Sequence, residues 1–114
     1  MPYINTKVSI PLSENMEKAL AKKMGEAITL FPGKTEKWLM LNFEDNCHLW
    51  LGGDNTESTA FVDVSVLGAA NPEAYEKMTE FICKSMEDVC KIHGNRVYVR
   101  YSETLNWGFN GKNF

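Results

Sequence analysis

Clusters of lysine and arginine are missing from this chain of 114 residues, and its net charge is −3. With a pI near 5.4, that argues against nucleic acid or an anionic membrane as the main partner. No apolar run approaches the roughly 20 residues that a bilayer requires. The amino terminus shows no charged segment leading into an apolar one, so no secretory signal is read there and a cytoplasmic location is expected. Cysteine is scarce: Cys47, Cys83 and Cys90 are an odd number without a CxxC pair, the pattern of reduced thiols rather than a disulfide framework. His48 and His93 are the only histidines and have no second ligand at metal-binding spacing, so no metal site is expected. What remains is ordinary for one globular domain spanning residues 1–114, with 44% apolar and 24% charged residues.

Positions 3–10 alternate, with Ile4, Val8 and Ile10 on one side and Asn5, Lys7 and Ser9 on the other, which reads as a strand with one buried face. Ser13 is a suitable helix N-cap, with Glu14 and Glu17 in the first turn. Met16, Leu20, Met24, Ala27, Ile28 and Phe31 recur at helical spacing until Pro32-Gly33 stops them. Trp38 to Phe43 reads as a strand, 44–46 as its turn, and His48–Leu51 as a short strand closed by Gly52-Gly53.

The plan then starts again. Ala60 to Leu67 is a strand with Ala60, Val62, Val64 and Val66 on one face. Asn71-Pro72 is a cap followed by proline at the first helical position. Tyr75, Met78, Ile82, Met86 and Val89 form the apolar stripe, and Gly94 lies past the end. Arg96 to Tyr101 is a strand and Asn106 to Phe109 a short final one. KVSI at 7–10 matches DVSV at 63–66, and Asn15 and Glu17 match Asn71 and Glu73 at the same offset. The expected fold is therefore α+β: a duplicated β-α-β unit giving a four-stranded sheet with both helices on one face, plus short edge strands. The opposite sheet face mixes Asn5, Lys7, Ser9, Asp63, Ser65, Tyr98 and Arg100. That is too apolar for free solvent and too polar for a second core, as a lined channel or a subunit contact would be.

Pro2, directly behind Met1, has two readings. With Met1 in place it is a strand-starter without an N–H donor. With Met1 removed it is a free secondary amine, a base and a nucleophile. Methionine is generally cleaved ahead of small second residues, proline included.

Pro2, Pro32-Gly33-Lys34 before a strand, AFV…VLG at 60–68, RVYV at 96–99 and the closing NWGFNGKNF occur in a specific order. Together they resemble the macrophage migration inhibitory factor branch of the tautomerase superfamily, over essentially the whole chain. The resemblance implies a homotrimer around a central channel, with an active site at each subunit boundary and the amino-terminal proline as catalytic base. It implies that Lys34 holds a substrate carboxylate or polarises the enolate oxygen and lowers the Pro2 pKa. Leu67 matches a position whose backbone N–H contacts substrate. Tyr98 matches a tyrosine contributed by the neighbouring subunit, and Trp38, Trp107 and Phe109 match aromatic pocket positions suited to an aryl ring.

Arg100 stands where relatives carry asparagine. A guanidinium there either binds a substrate carboxylate or pairs with Asp63. Ser58-Thr59-Ala60-Phe61 replaces the relatives' CxxC motif, so thiol oxidoreductase activity is not expected. The resemblance thus implies a keto–enol isomerase of small aryl α-keto acids such as phenylpyruvate, requiring no cofactor. Its rival is a cytokine-like, protein-binding trimer with a vestigial pocket. Relatives act outside cells without a signal peptide, which leaves export by another route and a protein receptor open. Hydration or dehalogenation of an unsaturated acid ranks last, because no second residue presents itself to activate water.

Overall fold

In the computed structural model, which describes Met1–Phe114, strand β1 (Pro2–Val8) buries every second residue from Pro2 to Val8. β3 (Ala60–Leu67) buries Ala60, Val62, Val64 and Val66 in the same rhythm. Period-2 burial puts these residues on one sheet face. Helices α1 (Glu14–Ala27) and α2 (Pro72–Cys90) cover it with Leu20, Met24, Met78, Ile82 and Met86, and all join the strand residues in one core of 18 buried side chains. Burying that many aliphatic groups is the main force holding the layers together.

The sheet order is β2-β1-β3-β4, with β2 spanning Met40–Glu44 and β4 spanning Val97–Thr104. β1 and β3 run antiparallel at the centre, and each pairs in parallel with an outer strand. The parallel pairing has the same sequence offset in both halves, Tyr3 facing Met40 and Ala60 facing Val97. That shared offset is the duplicated β-α-β unit expressed as geometry.

Both helix starts follow the sequence signals. Ser13 Oγ accepts from the Met16 N–H at 3.1 Å, and Asn71 Oδ1 accepts from the Ala74 N–H at 2.7 Å. The structural counterpart of Asn71 is thus Ser13, not Asn15, which lies inside the first turn of α1.

Several boundaries differ from expectation. β1 stops at Val8 rather than Ile10, and α1 gives way after Ala27 to a 3₁₀ turn over Ile28–Leu30 rather than running to Phe31. β4 spans Val97–Thr104 rather than Arg96–Tyr101. Trp38 does not open β2 but ends a 3₁₀ turn over Glu36–Trp38. His48–Leu51 forms no strand. Only Leu51 and Asp54 bridge, around Gly52-Gly53, because no strand of the chain lies alongside to complete a ladder. α2 ends at Lys91 in the left-handed conformation (φ 58°), not at Gly94, which belongs to a separate 3₁₀ turn over Gly94–Arg96. The final strand is a hairpin arm: β5 (Gly108–Phe109) pairs with β6 (Lys112–Asn113). Asn110 and Gly111 both have positive φ at its tip, the conformation that Asn-Gly tolerates best.

Candidate active site

Pro2 is buried and begins β1, opposite Val66. Around the Met1–Pro2 bond three groups converge. The Leu67 N–H donates to the Met1 carbonyl at 3.1 Å. Lys34 Nζ donates to the Leu67 carbonyl at 2.7 Å. The amino group of Met1 has its pKa lowered, first by burial and second by the positive charge of Lys34. Both causes disfavour the protonated amine.

The local sequence explains the convergence. Pro32-Gly33 turns the chain after α1 and leaves Lys34 half-buried, its N–H bonded to the Phe31 carbonyl at 3.1 Å. Gly68, at φ +86°, takes β3 sharply away from the sheet. Its N–H is held by the Thr104 carbonyl at 2.8 Å, which fixes the Leu67 peptide between Met1 and Lys34. A side chain at Gly68 would strain that turn.

A cleft of about 980 Å³ opens from Pro2. Its walls include Trp38, Trp107 and Phe109, the aromatic residues singled out in the sequence. Trp38 and Phe109 meet edge to face, with centroids 5.4 Å apart. The 3₁₀ turn is what swings Trp38 out of the strand alternation and onto the hairpin. Lys37, Met40 and Thr104 also line the cleft and were not singled out in the sequence, and Ser65, read there only as part of the polar sheet face, joins them. Lys37 is the only charged side chain of the lining, which contains no aspartate or glutamate.

Tyr98 and Arg100 lie elsewhere. Tyr98 faces Phe61 and Arg100 faces Asp63, whereas Pro2 faces Val66. At roughly 3.3 Å per residue, Tyr98 is about 16 Å and Arg100 about 10 Å along the sheet from Pro2. Arg100 grips Asp63 with two N–H donors, at 2.6 and 3.2 Å. Within the protomer the Asp63 pairing is therefore the one realised. Tyr98 stays 58% exposed.

A second concavity, of about 480 Å³ and lined by Cys47, His48 and Trp50, lies in the loop after β2. None of the groups around Pro2 borders it.

A profile of the family described as macrophage migration inhibitory factor (MIF) matches residues 1–114. Among solved structures, MIF2 of Leishmania major is 32% identical, with a TM-score of 0.92 over 100% of this chain and 97% of that one. A macrophage migration inhibitory factor homologue from Prochlorococcus marinus is 27% identical, with a TM-score of 0.83 over 98% of each chain. The protein Pt0534, solved inactivated by 2-oxo-3-pentynoate, is 18% identical with a TM-score of 0.80 over 96% of this chain and 93% of that one; it shares the fold. No curated protein matches.

Proposed function

The chain belongs to the macrophage migration inhibitory factor family, and from that premise we propose that it is a keto–enol tautomerase of small aryl 2-oxo acids, phenylpyruvate among them. Pro2, freed by loss of Met1, is the general base. The observation that carries this reading is the convergence at Met1–Pro2. A cation and a backbone donor already bracket the position where a free proline amine would stand.

The chemistry follows from those groups. The unprotonated Pro2 amine takes a proton from the carbon between ring and carbonyl. The electron pair moves through the new carbon–carbon double bond onto the carbonyl oxygen. The same proton is then delivered to that oxygen, giving the enol, and the reverse sequence gives the ketone. Lys34 and the Leu67 N–H, which Met1 occupies in the unprocessed chain, stabilise the negative charge on the oxygen and the carboxylate. The ring lies against Trp38 and Phe109. Proton transfer of this kind needs no cofactor.

An amine serves as base when its pKa is near the working pH. Burial and Lys34 lower the pKa of the amine at this end of the chain, and the same two causes would act on Pro2. The base is active when unprotonated, so kcat/KM should rise with pH and level off above a midpoint below the ordinary range of a proline amine. Lys34→Ala should move that midpoint upward.

The decisive comparison uses protein shown by mass spectrometry to start at Pro2. Ketonisation of phenylpyruvate, followed by absorbance, should fall by about 100-fold or more in Pro2→Gly. Wild-type protein no faster than Pro2→Gly would overturn the reading.

A further inference from the structure

Lys37 has no part in the proton transfer just described, yet it is the single charged side chain on the wall of the cleft. Its position follows from the 3₁₀ turn Glu36–Trp38, in which successive side chains splay about 120° apart. Glu36 folds back over Gly25: a Cβ there would meet Glu36 Oε2 at 1.8 Å, so the glycine leaves the room that carboxylate occupies. Trp38 turns onto Phe109. Lys37 is left facing the cleft, with Nζ 5.1 Å from the centre of the Trp38 ring. None of the ion pairs of the protomer includes it.

A lysine on an aromatic face keeps most of its capacity to bind an anion, because the ring offers only a weak counter-charge. Tyr3 faces Met40 in the sheet register. The chain therefore passes Pro2 near Leu39 and reaches Lys37 only beyond Trp38. Lys34 does not border the cleft but stands behind its Pro2 end, on the Leu67 carbonyl. The cation that the cleft wall itself presents is therefore Lys37, past the aromatic wall.

We propose that Lys37 is a subsite for a second anionic group, so that this cleft favours aryl 2-oxo acids carrying a carboxylate at the far end of the ring. The inference rests on the tautomerase reading for the orientation of the ligand. A ligand with a bare ring must compete with the Lys37 ammonium for the Trp38 face. A dianion instead gives that ammonium a partner and leaves the ring in place.

Binding tests it without catalysis. Calorimetric titration of processed wild-type protein with 3-phenylpropionate and with 3-(4-carboxyphenyl)propionate should show the dianion binding about fivefold tighter at low salt, a ratio that shrinks as salt is added. Lys37→Gln should bring the ratio close to one, and Lys37→Arg should restore it. The same pattern is expected in kcat/KM for phenylpyruvate against its 4-carboxy derivative. Equal affinity for both probes in the wild type overturns the subsite, as does a preference that survives Lys37→Gln and vanishes in Arg100→Ala. Turnover of phenylpyruvate with no such preference would remove the subsite alone, whereas failure to bind or turn over either compound would remove the tautomerase reading with it.

Discussion

Thr6 sits on the core face of β1 with no solvent exposure, and its hydroxyl has no hydrogen-bond partner. A buried hydroxyl left unpaired costs about 1–3 kcal/mol, since the water it gave up is not replaced. Valine has nearly the same shape without that loss. Thr6→Val should raise stability by about 1 kcal/mol, read as a higher urea midpoint at unchanged slope; a lower midpoint would mean the hydroxyl has a partner after all. Single residues were unevenly legible in the sequence. Lys34 was singled out through the family resemblance of the Pro32-Gly33-Lys34 stretch, since a lysine after a Pro-Gly turn is by itself an ordinary solvated side chain. Lys37 was missed because its meaning depends on which way a 3₁₀ turn throws it, and nothing in the pattern EKW sets that direction. Arg100 had two open partners in the sequence. Register settles the protomer, since Arg100 faces Asp63 directly across β3 and β4.

Elements were legible where periodicity was strong and the signals were local. The two helix starts and β3 stand where caps and alternation predicted them, and β1 and α1 form as expected but end early, at Val8 and Ala27. The loop from Leu51 to Thr59 was not legible, because its order comes from a residue far along the chain. Arg96 is buried, and its guanidinium donates to the carbonyls of Leu51, Asp54 and Glu57 and to Thr59 Oγ1. The segment from Leu51 to Thr59 is thus a loop clamped by one side chain. The Asp54 and Glu57 carboxylates stand no closer than 4.0 Å, so the clamp is mainly a set of hydrogen bonds to backbone oxygen. Lysine cannot present a planar fork of donors to several carbonyls at once. Arg96→Lys should therefore destabilise by about 2 kcal/mol and expose the loop to proteolysis. Chemical denaturation and limited proteolysis should change together; an unchanged cleavage rate with lowered stability would place the loop's order elsewhere.

For the molecule as a whole, the separation between Pro2 and the pair Tyr98 and Arg100 carries the most consequence. A strand cannot fold back on itself, so about 10–16 Å along one sheet keeps these groups out of the same pocket within a protomer. The expected trimer reconciles them: a neighbouring copy would bring Tyr98 and Arg100 to each Pro2, and the half-buried polar face of β1 and β3 would line the space between copies. Such an assembly should run in light scattering at three times 12.9 kDa. Mixing a Pro2 variant with an Arg100 variant tests the sharing itself. If Pro2 and Arg100 of one site come from different subunits, Pro2→Gly and Arg100→Ala chains refolded together should form sites with both residues intact, where one copy supplies the proline and its neighbour the arginine. Where Arg100 serves the neighbour's site, Arg100→Ala alone is slow, as Pro2→Gly is, and phenylpyruvate turnover of the mixture should recover to a sizeable fraction of the wild-type rate; a full-rate Arg100→Ala would remove Arg100 from the site. If both residues served the same pocket from one chain, no mixture could hold an intact site, and the mixed sample would show only the average of the two defective proteins.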